Sequence, residues 1–117
     1  TQRFNLVHEQ AHVWDFASGG AMSQGIMNAT GSKYGGGFLG FGQTYNPRGN
    51  TSSEYSKKDA LEDWAETVAA ATYPEGSRSV RSGTSDPRMG TLRQNYIKPF
   101  LPNAAIFSSS VNQNRAP

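Results

Sequence analysis

Glycine is concentrated in one part of this chain of 117 residues, where ten of the thirteen glycines lie between residues 18 and 53. Glycine loses more backbone entropy on ordering than any other residue, so a regular helix is not expected there. The only charged residues of the segment are Lys33 and Arg48. We therefore predict a long irregular loop, with residues 38–41 forming either a short strand or an apolar stretch packed on helices.

Three helices are predicted outside this segment, over residues 4–17, 57–73 and 87–99. In each of them apolar residues recur at spacings of three and four. The second helix is expected to follow Ser56, whose hydroxyl can cap it. The third is expected to follow Asp86, because the next residue is a proline that fits the first helical position.

The connecting and terminal segments are expected to be less regular. Residues 75–85 are predicted to form a loop, and residues 103–117, rich in Asn and Ser, an extended or disordered tail.

Trp14 and Trp64 are expected to join the first two helices in the core. The arginines of the C-terminal half are expected at the surface: Arg78, Arg81, Arg88 and Arg93.

Composition narrows the function classes. The length fits one small domain, and the net charge of +2, with Lys57–Lys58 as the only adjacent basic pair, argues against a nucleic-acid-binding surface. No apolar run approaches the roughly 20 residues of a membrane span. The chain has no cysteine, which removes disulfides and thiolate metal sites.

The most informative motif is H-E-x-x-H, formed by His8, Glu9 and His12. Two histidines four residues apart on one helix face can bind the same metal ion, and the glutamate between them lies beside a water on that ion. Zinc lowers the pKa of such a water to about 7, and a carboxylate can take its proton as it attacks a carbonyl group. Both histidines of the chain belong to this motif.

A zinc site of this kind needs a third protein ligand. With no other histidine and no cysteine, the ligand must be a carboxylate, and the candidates are Asp15, Glu54, Asp59, Glu62, Asp63, Glu66, Glu75 and Asp86. Asp15 lies one turn after His12 but is poorly aimed. A carboxylate on the predicted helix 57–73, packed across the first helix, has better geometry.

These residues resemble the gluzincin metallopeptidases, whose third ligand is the Glu of a downstream E-x-x-[SA]-[DE] helix motif. The match implies that Glu62 is the third ligand and that Glu66 accepts the other ring N–H of His8. Within this family the chain is most similar to the anthrax lethal factor catalytic domain and related bacterial toxin peptidases. There the first motif continues to an aspartate, here Asp15, and a tyrosine stands seven residues before the Glu ligand, here Tyr55.

Each implied role has an alternative. The alternatives to Glu62 as the third ligand are that Glu66 is the ligand, or that Glu62 is only an exposed charge on its helix. The resemblance implies that the Tyr55 hydroxyl donates to the oxyanion formed during peptide hydrolysis. The alternative donors are Tyr34 and Tyr45, which lie in the nearby glycine-rich segment and could move into that position. Asp15 either orients a ligand or is an ordinary carboxylate near the end of its helix.

The resemblance also implies a fold and a context. Residues 1–102 are expected to be the C-terminal part of a zincin-like α+β metallopeptidase domain. Zincins place a sheet before the motif helix and pair the peptide substrate with its edge strand, yet only seven residues precede His8. The sheet is therefore expected from an upstream segment or from another chain.

The expected function is that of a zinc-dependent endopeptidase with Zn²⁺ as its cofactor and a peptide or protein as its substrate. Similarity to toxin peptidases implies the effector region of a larger bacterial protein, secreted or delivered into a target cell. The alternative is a non-enzymatic interaction module, in which a structural or relic zinc site lies inside a larger assembly.

Overall fold

The computed structural model describes residues 2–38, 41–73 and 90–102. Within these ranges the chain forms a small, mostly helical α+β domain with the following elements: α1 (Gln2–Ala17), α2 (Ala21–Thr30), β1 (Lys33–Gly35), β2 (Thr44–Asn46), α3 (Ala60–Thr72) and α4 (Thr91–Ile97). Two 3₁₀ helices, Tyr55–Lys57 and Lys98–Phe100, precede α3 and follow α4. No helix in the described ranges is long and apolar enough to cross a membrane. The predicted loop 75–85, the start of the third predicted helix and the tail 103–117 lie outside the described residues, as do Arg78, Arg81 and Arg88.

The first two predicted helices are present, although α3 begins later than expected. Its N-cap is Asp59 and not Ser56: the backbone of Asp59 is extended, and its side chain accepts a hydrogen bond of 2.8 Å from the backbone amide of Glu62. Residues 55–57 instead form a separate 3₁₀ turn. An aspartate accepts from the first helical amides at least as well as serine, and its charge favours the positive end of the helix dipole.

The prediction that residues 18–53 contain no regular helix is wrong, because α2 lies within them. Several glycines of this region lie at the ends of α2 and not inside it. Gly20 and Gly31 flank the helix with φ values of 83° and 78°, a left-handed conformation that glycine adopts at low cost. The carboxylate of Asp15 accepts a 2.9 Å hydrogen bond from the amide of Ser23 in the first turn of α2.

The same region also contains the sheet. Strands β1 and β2 pair antiparallel with Tyr34 opposite Tyr45. Phe38 and Phe41 form an isolated bridge beyond the strands and are 78% and 80% exposed. These two phenylalanines therefore pair with each other and do not pack on the helices.

The core lies between the four helices and is centred on Trp64 of α3, which is fully buried. Its indole N–H donates to the Ala11 carbonyl at 2.8 Å, and its ring meets that of Trp14 edge to face at 5.6 Å. The predicted joining of α1 and α3 by the two tryptophans is confirmed. The other large apolar side chains buried with Trp64 are Phe4, Val7, Ile26, Val68 and Ile97.

Contact between α2 and α4 depends on a glycine. A Cβ atom at Gly25 would lie 2.1 Å from the hydroxyl oxygen of Tyr96. That hydroxyl donates a 2.9 Å hydrogen bond to the carbonyl of Met22. Gly25 therefore costs α2 some helix propensity but lets α4 approach closely.

Arg93 of α4 is fully buried, so its predicted surface location is wrong. Its guanidinium donates to both carboxylate oxygens of Asp63 on α3 and to the carbonyl of Arg48 after β2. A buried arginine requires such partners, because burial of an unpaired charge is costly. This network joins α4 and the segment after β2 to the part of α3 that carries Glu62.

Candidate metal centre

His8 and His12 of α1 and Glu62 of α3 point into one small volume. The two Nε2 atoms are 3.0 Å apart. Glu62 places Oε1 at 2.5 Å from His12 Nε2 and Oε2 at 3.6 Å from His8 Nε2. One potential ligand atom from each residue lies within 4.8 Å of the others. The predicted trio thus comes together from two helices that are separated by more than forty residues in the chain.

This arrangement fits a tetrahedrally coordinated zinc ion. With zinc–nitrogen bonds of about 2.0–2.1 Å, neighbouring ligand atoms of a tetrahedron lie about 3.3 Å apart, and the three distances above lie on either side of that value. Glu62 Oε2 is also buried and has no hydrogen-bond partner among the described residues. A buried, unsatisfied carboxylate oxygen is costly, and a bound cation would satisfy it.

Glu66 fixes the orientation of His8. Its Oε2 lies 2.7 Å from His8 Nδ1, and its side chain is fully buried. Because an ionised carboxylate can only accept, Nδ1 is the donor in this hydrogen bond. In a neutral imidazole with this donor the lone pair is on Nε2, the atom that faces His12 and Glu62, and this is the tautomer that a metal ligand needs.

Glu62, and not Glu66, is therefore the carboxylate that faces both Nε2 atoms. Asp59 caps α3 and Asp63 pairs with Arg93. Glu54 forms an exposed i,i+3 ion pair with Lys57. Glu75 and Asp86 lie outside the described residues.

Tyr55 lies beside the cluster, with its ring centroid 6.0 Å from that of His8, and it is 41% exposed. The hydroxyls of the two tyrosines in the glycine-rich segment form hydrogen bonds with other residues. Tyr34 accepts a hydrogen bond from the backbone amide of Ala60, and Tyr45 donates one to Asp63. Of these three tyrosines, Tyr55 is the one whose ring lies beside His8.

The cluster has one side that is open to solvent. Glu9 follows His8 directly on α1 and is exposed. The His12 side chain is partly exposed, whereas that of His8 is buried. The cluster is therefore accessible to solvent at His12, and Glu9 lies on the same helix with its side chain in solvent.

Asp15 has a different contact. Its carboxylate is buried and bonds the amide of Ser23. Gly20, at the N-cap position of α2, has no side chain to supply such a bond. The position of Asp15 supports a role as a cap for α2 provided by a neighbouring helix.

Ser53 was not singled out from the sequence, yet its hydroxyl donates a 2.9 Å hydrogen bond to Glu66 Oε1. The Ser-x-x-Ser spacing with Ser56 is a local signal for a turn. That signal cannot show which helix the turn packs against, because this depends on the long-range packing of the loop on α3.

No protein-family model, curated protein or solved structure matches the chain.

Proposed function

We propose that this chain is part of a zinc-dependent endopeptidase. The observation that carries the proposal is the convergence of His8 and His12 with Glu62 around one point, with Glu66 Oε2 2.7 Å from Nδ1, the far nitrogen of His8. Among the described residues the cluster has two imidazoles and one carboxylate, and such a set with a fourth position left open is typical of catalytic zinc. A structural site is usually closed by a fourth protein ligand.

In this mechanism His8, His12 and Glu62 hold the zinc ion, which when bound lowers the pKa of a coordinated water to about 7. Glu9 accepts the proton of the attacking water and later delivers it to the leaving amine. Its exposed position on α1 supports this role.

Tyr55 is proposed to donate its hydroxyl proton in a hydrogen bond to the substrate carbonyl oxygen as that oxygen gains negative charge. The ring position beside His8 supports this role. Glu66 keeps His8 oriented throughout and contacts no substrate atom.

A zincin-like domain, of which residues 1–102 form the C-terminal part, is also part of the proposal. A sheet from another segment of the same protein or from a partner chain would complete it and carry the peptide substrate. The outer side of α1 supports this, because Val13 and Phe16 are 61% and 88% exposed. Secretion or delivery into a target cell is proposed on the resemblance to toxin peptidases alone.

The test is Glu9→Gln in the protein that includes the segment or partner chain supplying the sheet, assayed with zinc and a peptide library. The variant is expected to keep its fold and bind zinc as the wild type does, while cleavage falls by about 10²–10⁴-fold, the usual contribution of a general base. Glu54→Gln, which alters an exposed glutamate outside the cluster, is the matched control and should cleave normally.

Undiminished cleavage by Glu9→Gln would contradict the role of Glu9. Zinc binding without peptide cleavage by the wild-type protein that includes its completing sheet would contradict the peptidase proposal. In that case the same residues would form the structural site of an interaction module.

A further inference from the structure

Both carboxylate oxygens of Glu66 have partners on different elements. Oε2 accepts from His8 Nδ1 at 2.7 Å, and Oε1 accepts from the Ser53 hydroxyl at 2.9 Å. Glu66 is fully buried and Ser53 is 4% exposed. The Ser53 hydroxyl is therefore joined to the metal-binding imidazole through a single buried carboxylate.

Ser53 is itself held in place by Ser56. The amide of each serine donates to the hydroxyl of the other at 3.1 Å, and the Ser56 hydroxyl also donates to the Ser53 carbonyl at 2.6 Å. This reciprocal pattern is like that of a capping box, in which the side chain of each of two residues accepts a hydrogen bond from the unpaired backbone amide of the other. The Ser53 hydroxyl thus accepts from Ser56 while its own proton is directed at Glu66.

We propose that Ser53 is a positioning residue for the metal centre. Its hydroxyl selects the Glu66 rotamer that holds His8, and the Ser53–Ser56 turn keeps that hydroxyl in place. The inference rests on the proposed zinc site but not on the proposed peptidase activity. Partners of this kind matter because they orient the ligand and raise its basicity, and their loss commonly weakens metal binding by about 10–100-fold.

Three features of the contact support a specific role over a general structural one. The hydrogen bond is charge-assisted, since its acceptor is a carboxylate. It is buried and so hardly screened by solvent. It also links two segments thirteen residues apart and does not merely continue a local turn.

The experiment measures the affinity of the full-length chain for Zn²⁺ by competition with a chromophoric chelator. Ser53→Ala is expected to bind zinc about tenfold more weakly, while Ser53→Thr, which keeps the hydroxyl, should stay within about threefold of the wild type. Ser32→Ala is the matched control, because Ser32 is equally buried and hydrogen-bonded but lies beside Thr30 and Arg48. It should leave zinc affinity unchanged.

The Ser53→Ala substitution in a Glu66→Gln background tests whether Ser53 acts on His8 through Glu66. If Ser53 acts through Glu66, Ser53→Ala should weaken zinc binding by a smaller factor in that background than in the wild type. Should Ser53→Ala fail to fold, Ser53→Cys offers a side chain of similar size with a weaker donor and is expected to weaken zinc binding by a smaller factor.

Wild-type zinc affinity in Ser53→Ala, or in the folded Cys variant, would overturn the proposal, and so would an equal loss in Ser32→Ala. A wild-type chain that does not bind zinc would overturn it as well. Zinc binding without peptide cleavage by the protein that includes its completing sheet would contradict only the peptidase activity, and the zinc affinities would still decide the role of Ser53.

Discussion

Arg93 and Asp63 form a buried, bidentate ion pair, in which Nε donates to Oδ1 at 2.8 Å and Nη2 donates to Oδ2 at 2.6 Å. Both side chains are fully buried. Burial alone would lower the pKa of Arg93, but the hydrogen bonds and the charge of Asp63 outweigh it and raise that pKa above its ordinary value. Because Asp63 directly follows the proposed ligand Glu62, this pair fixes the part of α3 that bears the candidate site.

Arg93→Met is expected to reduce the free energy of unfolding by about 3–5 kcal/mol, because it leaves Asp63 as a buried charge without its cation. Methionine keeps much of the volume, so the loss reports mainly the missing partner. Urea unfolding followed by tryptophan fluorescence measures it. Arg3→Met, at an exposed position of α1, should change stability by no more than about 0.5 kcal/mol, and an equally small change for Arg93→Met would contradict the importance of the pair.

The raised pKa of Tyr45 is expected to reduce the stability of the fold at alkaline pH. Its burial, followed by its hydrogen bond to Asp63 and the charge of that carboxylate, raises the pKa of the phenol above 10. The unfolded chain releases this proton near pH 10, whereas the folded chain retains it. Stability from this group is therefore complete below pH 10 and is lost above it, by up to about 1.4 kcal/mol per pH unit.

Denaturation of wild type and Tyr45→Phe between pH 8 and 11 measures this effect. The variant should lose stability less steeply above pH 10, although at pH 7 it is less stable because Asp63 has lost a hydrogen bond. Tyr96 also has a raised pKa, from burial and the nearby charge of Asp15, and contributes to both curves. Parallel curves would show that Tyr45 does not contribute.

Much of the site could be predicted because its residues follow helical spacing. The four-residue step from His8 to His12 and the same step from Glu62 to Glu66 place each pair on one helix face. The α1 and α3 helices were predicted within three residues of their observed starts and within one of their ends. Periodicity in the sequence therefore predicts the two helices, whereas the choice of Glu62 as ligand and of Glu66 as the partner of His8 depends on the resemblance to the gluzincins.

The parts that sequence reasoning missed depend on packing between distant segments. The burial of Arg93 follows from Asp63, thirty residues away. The glycine content of the segment does not reveal helix α2, because glycines that flank a helix, such as Gly20 and Gly31, lower the average helix propensity as much as glycines inside it. Ser53 lies in a turn whose local pattern does not indicate its contact with Glu66.

Zinc is expected to stabilise the chain through the cluster. A ligand that binds only the folded state at 100 times its dissociation constant adds about 2.7 kcal/mol to the free energy of unfolding. His12→Ala should lose this response to zinc, while Gln10→Ala, on the same helix but outside the cluster, should keep it. Thermal denaturation with zinc and with a chelator measures the effect, and the same response in His12→Ala would contradict the assigned ligand set.

Substitution of Asp15 distinguishes two roles for this residue, a cap for α2 and an orienting residue for a metal ligand. Because its carboxylate bonds the amide of Ser23, Asp15→Ala should cost about 1–2 kcal/mol of stability, as for the loss of a cap. Zinc affinity, measured where the variant is folded, should stay within about threefold of the wild type, since losing an orienting partner costs about 10–100-fold. Asp15→Asn keeps an acceptor oxygen and should recover most of the stability. A tenfold loss of zinc affinity in Asp15→Ala, with little change in unfolding, would instead assign Asp15 to the metal centre.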